Sequence, residues 1–246
     1  MVRFCDDTAF VCGGFFNYSD AVDRGAYSER EMNQKKIFIV AAVALLLLFT
    51  AGMAIYASQK DKQATQQAEA NRAVLMRMHS PTLGRADAPV VIVEFFDPAC
   101  ETCRAFYPKV KALMAENPDK IRLVLRYTPF HKGSDQVVAM LEAARKQGKF
   151  WPALESILAS QDQWTQHHTA QAGQVWQHLE GLGLNFEQMR ADMMAPDVAR
   201  VIEQDMADAR TLKVTMTPEF FVNGKPLPKF GYEELKTLVD EAVAGG

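Results

Sequence analysis

Val90-Val91-Ile92-Val93-Glu94-Phe95-Phe96-Asp97-Pro98-Ala99-Cys100-Glu101-Thr102-Cys103 is the stretch whose reading decides the fold. It opens with a near-continuous apolar run, the pattern of a strand buried on both faces. Asp97-Pro98-Ala99 turns the chain, and an amphipathic helix is predicted from about Cys100 to Glu116, kinked at Pro108. The two cysteines therefore stand at a helix start, where the positive end of the dipole favours thiolate over thiol. This arrangement suggests a dithiol/disulfide redox centre. The same spacing is also half of a common zinc site, and the rest of the chain has to decide between them. Glu94 interrupts the apolar run, and a carboxylate there is costly unless it has a partner or a job.

The chain has 246 residues, 48% hydrophobic and 23% charged, enough for one good-sized domain plus extra segments. A net charge of -3 with no basic stripe gives no nucleic-acid footprint. There are four cysteines. Cys5 and Cys12 precede a long apolar segment, and Cys100 and Cys103 follow it. A zinc site would need two further ligands for Cys100 and Cys103 from His79, His131, His167, His168 or His178, none of which has convincing ligand spacing. A static bridge across two intervening residues would staple almost no chain, so it is a poor stabiliser.

The apolar segment is Ile37 to Tyr56, uncharged and long enough to cross a bilayer as a helix. Lys35 and Lys36 abut its start, which favours the N-terminus inside and the remainder outside the cytoplasm. The run is longer than a usual signal-peptide core, so an uncleaved anchor is expected over 37–56, although Gly52-Met53-Ala54 is a passable cleavage site. Met32-Asn33-Gln34-Lys35-Lys36 reads like a natural start, and residues 1–31 read as an upstream extension that need not be translated natively. Residues 57–79, rich in Gln, Ala and Lys, read as a polar tether.

Beyond the dithiol helix, Ile121 to Tyr127 alternates Ile, Leu, Leu and Tyr against Arg122, Val124 and Arg126, and predicts a second strand. A helical block follows over about 134–211. Ser134 is a candidate cap for its first helix, Asn185 with Gln188 resembles a capping box, and Pro196 fits the first turn of the last helix. His167-His168 reads as a solvated loop. The strand signal returns at Glu219-Phe220-Phe221-Val222, with Asn223-Gly224 as a hairpin turn and Pro226 marking an edge strand. A closing helix is predicted from about Tyr232 to Val243. This order gives an α/β fold: a mixed sheet with helices on its faces and an inserted helical domain.

Glu94-Phe95-Phe96, Cys100-Glu101-Thr102-Cys103, and Thr217-Pro218 followed by Glu219-Phe220-Phe221-Val222-Asn223-Gly224 together resemble the thioredoxin fold, specifically the DsbA-like thiol-disulfide oxidoreductases. The lead-in from His79-Ser80-Pro81 to Gly84 is also similar. The resemblance covers about 80–246, and the long helical insert between Cys103 and Pro218 matches the DsbA-like branch. It implies that Cys100 is the nucleophile, that Cys103 resolves the mixed disulfide, and that Glu94 is the buried acid that relays a proton to Cys103. It implies further that Pro218 is a cis-proline beside the dithiol, with the Thr217 backbone free to pair with an extended client.

The dipeptide between the cysteines departs from the strongly oxidising members, which carry proline and histidine. Glu101 adds a negative charge near Cys100, so the thiol should be less acidic and the disulfide less oxidising, with Glu101 and Thr102 tuning the potential. Thr217 before the proline resembles the isomerases and some reductases. Client proteins with thiols or disulfides, and a DsbB-like or DsbD-like membrane redox partner, are the expected partners. No cofactor and no metal are expected. The expected location is the inner membrane, single-pass, with the catalytic domain in the periplasm. The competing readings are a reductase or isomerase of the same fold, and a non-catalytic chaperone or metal-delivery module.

Overall fold

The computed structural model describes the backbone of residues 18–245 and the side chains of residues 33–245. Cys5, Cys12 and the first part of the expected 1–31 extension lie outside the described residues. The described chain divides into two units, one ending at Lys60 and one beginning at Asp61. The first is helical from Tyr18, as part of α1 (Tyr18–Leu75). Among the described residues, α1 is the one helix long and apolar enough to cross a membrane, and Ile37, Leu45, Leu48 and Phe49 are exposed on it.

The second unit follows the order anticipated above. After the last turns of α1 come β1 (Thr82–Leu83), β2 (Val90–Phe96), α2 (Glu101–Glu116) and β3 (Ile121–Tyr127). The insert comprises α3 (Ser134–Lys146), α4 (Phe150–Ala159), α5 (Gln161–Trp164), a small hairpin of β4 (Thr165–Gln166) and β5 (Thr169–Ala170), α6 (Ala172–Val175) running into a 3-10 turn, α7 (Phe186–Met193) and α8 (Pro196–Thr211). β6 (Glu219–Val222), β7 (Lys225–Pro226) and α9 (Tyr232–Gly245) complete the chain. The main sheet has the order β1-β3-β2-β6-β7. β2 lies parallel to β3 and antiparallel to β6, so the sheet is mixed, with the Pro226 strand at its edge as expected. Asn185 accepts from the Gln188 N–H and Pro196 begins α8, as their positions suggested. Pro108 lies within α2, which runs on as one helix to Glu116.

The central strand β2 has two apolar faces. Ile92 and Phe96 join Val110, Leu113 and Phe220 in the larger core, while Val93 and Phe95 join Leu75, Val124, Ala209 and Phe221 in a second. Glu94 lies on the first face, beneath α2.

Four expectations change. Arg126, placed by alternation on a polar face, is fully buried, because β3 is covered on both sides. Its guanidinium meets Asp205 and Asp208 of α8. Ser134 does not cap α3; Gly133 holds the cap position with φ 79, and the Ser134 hydroxyl instead donates to Asp97. The turn-rich lead-in contains β1, antiparallel to β3.

The 57–79 segment is not simply a tether. Within Asp61–Leu75 it is helical and docked, with Ala68, Asn71 and Leu75 buried. Asn71 Nδ2 donates to the Gly224 carbonyl at 2.9 Å and Arg72 Nε to that of Asn223 at 3.1 Å. Gly224, at φ 85, is required there, since a Cβ would lie 2.2 Å from the Ala68 carbonyl oxygen. Apart from Leu75, the docking uses small and polar side chains, so no apolar stripe announces it.

Candidate active site

Cys100 is the N-cap of α2, with φ -78 and ψ 117. This extended backbone swings Sγ over the helix start, where it accepts from the Cys103 N–H at 3.4 Å. Cys100 is 6% exposed and Cys103 fully buried, so the first cysteine is the accessible one, though only by a thin margin. Both are free thiols. The Thr217-Pro218 bond is cis, and the Cys100 thiol donates to the Thr217 carbonyl at 3.2 Å. The structure thus brings Cys100, Cys103, Thr217 and Pro218 together from two distant parts of the chain.

The two thiols differ strongly. Cys100 is brought down to about 6, chiefly by the hydrogen bond from Cys103, against the effect of burial. The Thr217 side chain and the N–H groups of Cys103 and Thr102 add to the lowering. Cys103 is pushed well above the ordinary thiol range by burial, by its bond to Cys100 and by the Glu94 charge. Near neutral pH this gives one thiolate and one protonated thiol, the division that sequential exchange needs. Glu101 and Thr102 are exposed.

Glu94 is buried, and among the described residues neither carboxylate oxygen has a hydrogen-bond partner. Burial, and then the Cys100 sulfur, push its carboxyl up to about 8. It therefore keeps its proton near neutral pH. Between the ordinary carboxyl value of 4.5 and about 8, the folded chain holds a proton that the unfolded chain has released, so stability falls as pH rises through that window. Glu94→Gln removes the loss. Its stability relative to wild type should grow steadily between those pH values in urea titrations, and a constant difference would contradict the assignment.

Sequence reasoning missed a second layer of residues around the loop. Asp97 is fully buried, accepts from the Ala99 N–H at 2.8 Å, and meets His131 Nδ1 at 2.7 Å as well as the Ser134 hydroxyl. It was legible only as a turn residue. Gln161, also fully buried, donates to the carbonyls of Pro98 and Cys100. His167 and His168 form the tip between β4 and β5, both exposed and with positive φ, and the His168 ring stacks on His131 at 5.8 Å. Among the described residues no group of three or more His, Cys, Asp or Glu side chains is placed to hold a metal ion.

The chain matches the thioredoxin family model over residues 76–241. It is 33% identical to a thioredoxin-like oxidoreductase from Silicibacter pomeroyi DSS-3, with a TM-score of 0.61, over 70% of this chain and 96% of that one. It is 28% identical over 212 residues to the "Probable disulfide bond formation protein D" of Bacillus anthracis, a match covering 83% of this chain and 94% of that protein. It is 32% identical over 144 residues to a Na(+)/H(+) antiporter NhaA of Herminiimonas arsenicoxydans, covering 58% of this chain and 22% of the antiporter. The chain thus spans about a fifth of the length of that curated relative, and the matched part is the smaller part of it.

Proposed function

Because the chain belongs to the thioredoxin family, in its DsbA-like branch, we propose that it is a membrane-anchored thiol-disulfide oxidoreductase whose Cys100-Glu101-Thr102-Cys103 centre exchanges disulfides with client proteins outside the cytoplasm. The observation that carries this reading is the asymmetry of the dithiol: an acidic thiol capping α2 beside the cis Thr217-Pro218 bond, and a buried, protonated one a turn inward.

In the oxidising direction, a client thiolate attacks Cys100 Sγ of the Cys100–Cys103 disulfide. An S–S bond forms to the client, the internal S–S bond breaks, and Cys103 leaves as thiolate. Glu94, loaded at neutral pH, gives Cys103 its proton. A second client thiolate then attacks the client sulfur and releases Cys100 as thiolate. The client has lost two electrons and the dithiol has gained them. In the reducing direction the steps run backwards, with Glu94 taking the Cys103 proton. The mixed disulfide carries no S–H at Cys100, so the Thr217 carbonyl is then free to accept from an extended client backbone.

The apolar Ile37 to Tyr56 segment supplies the inner-membrane anchor, and Lys35 and Lys36 favour a periplasmic domain. A DsbB-like or DsbD-like membrane partner recycles the dithiol. A thiol near 6 lies between the values typical of DsbA and of thioredoxin, about 3.5 and about 7. This favours a centre less oxidising than DsbA and keeps the reductase or isomerase role as the second reading. Insulin added to spheroplasts that carry the chain tests both activity and orientation. Faster reduction of insulin by dithiothreitol is expected. Activity of the detergent-purified chain alone would reverse the orientation, and inactivity in both settings would contradict the function.

A further inference from the structure

The loop that presents Cys100 is fastened from the helical insert as well as from the sheet. Gln161 opens α5 and is fully buried. Its Nε2 donates to the Pro98 carbonyl at 2.7 Å and to the Cys100 carbonyl at 3.0 Å, while its Oε1 is buried without a hydrogen-bond partner among the described residues. The amide is committed wholly to those two carbonyls. Turned over, it would set an oxygen against two oxygens, so the chemistry fixes its orientation. The Pro98–Ala99 peptide is then held at both ends, its carbonyl by Gln161 and its N–H by Asp97 Oδ1. The Cys100 carbonyl has two donors, the Arg104 N–H at 3.1 Å and Gln161.

We propose that Gln161 is a positioning residue for Cys100: by pinning the carbonyls on either side of Ala99, it keeps Sγ over the first N–H groups of α2. The inference rests on the dithiol reading above and extends it to the insert. An N-cap side chain reaches the N–H groups of the first turn only while its own backbone stays extended, as Cys100 does at φ -78 and ψ 117. Those N–H groups, of Thr102 and Cys103, are among the contacts that favour the Cys100 thiolate. Without the clamp, the Pro98 and Cys100 carbonyls lose a buried donor and the loop relaxes, moving Sγ off the N–H groups. The insert thereby becomes a determinant of how reactive the thiol is, through a residue that contacts no reacting atom.

The test is the pH profile of Cys100 alkylation by iodoacetamide, read by peptide mass mapping of the reduced full-length chain in detergent. Gln161→Met keeps the volume but removes both donors. Gln161→Asn keeps an amide too short to span both carbonyls, and carries the test if the methionine variant does not fold. The expected result is a midpoint raised by about half a pH unit, roughly a threefold loss of thiolate below the midpoint. A variant that melts at a lower temperature with the wild-type midpoint would show Gln161 to be merely structural and overturn the proposal, leaving the dithiol reading intact. A wild-type Cys100 with the profile of an ordinary thiol would overturn that reading and this proposal together.

Discussion

Cys100→Ser is expected to reduce insulin-reduction activity to that of dithiothreitol alone, whereas Cys103→Ala should leave client proteins attached to Cys100. Under the proposed function the difference comes from a division of labour between the two thiols. Cys100 caps α2 and is the accessible sulfur, so every exchange with a client passes through it. A serine hydroxyl in the same place is neither ionised at neutral pH nor able to form a disulfide. Cys103 is fully buried and meets the client only by attacking the mixed disulfide from inside. Without it the mixed disulfide persists until an external thiol arrives, and non-reducing gels should show adducts that vanish with dithiothreitol. Cys103 is also the largest contributor to the acidity of Cys100, so Cys103→Ala should raise the Cys100 midpoint and form its adducts slowly at low pH. Full activity in Cys100→Ser, or release of clients by Cys103→Ala at the wild-type rate, would contradict these roles.

Arg126→Met should cost about 3–5 kcal/mol of stability, as expected when one member of a buried ion cluster is removed. Arg126 is fully buried on β3. Its Nε donates to Asp205 Oδ1 at 2.8 Å and its Nη2 donates to Asp208 Oδ2. Nη1 donates to the carbonyls of Val74 and Leu75, each at 2.8 Å, and so satisfies the free end of α1. Burial raises the Asp208 carboxyl, but the hydrogen bonds from Arg77 and Arg126 outweigh it and hold it below the usual range. Methionine fills the space yet leaves two carboxylates and two carbonyls short of a donor. A melting temperature lower by roughly 10 °C is expected for a domain of this size, with Trp151, Trp164 and Trp176 as fluorescent reporters. Adding Asp205→Asn and Asp208→Asn should recover part of the loss, because the uncompensated charge goes with them. An unchanged melting temperature in Arg126→Met would contradict the cluster's role.

The parts of the molecule with a strong local signal were legible in the sequence. Val90 to Phe96 is apolar enough to read as a central strand, and Asn223-Gly224 with Pro226 reads as a hairpin ending on an edge. The spacing of Cys100 and Cys103 placed both thiols, and Glu94 stood out as a carboxylate inside an apolar strand. What the sequence concealed are contacts made by polar groups across long separations. Arg126 alternated like a surface residue because the helix that buries it, α8, lies about 80 residues away in the chain. Asn71 and Arg72 dock the end of α1 through hydrogen bonds to Gly224 and Asn223, which leave no hydrophobic period to detect. Gln161 has no local feature at all; its meaning exists only where Pro98 and Cys100 turn their carbonyls toward it.

The most direct test of the central claim is an equilibrium redox titration of Cys100 and Cys103 in glutathione buffers, with each state trapped by alkylation and read by mass. The account predicts one two-electron transition, with a potential between about -270 mV, as in thioredoxin, and about -120 mV, as in DsbA. Two thiols that stay reduced, or are oxidised separately, across that whole range would contradict it.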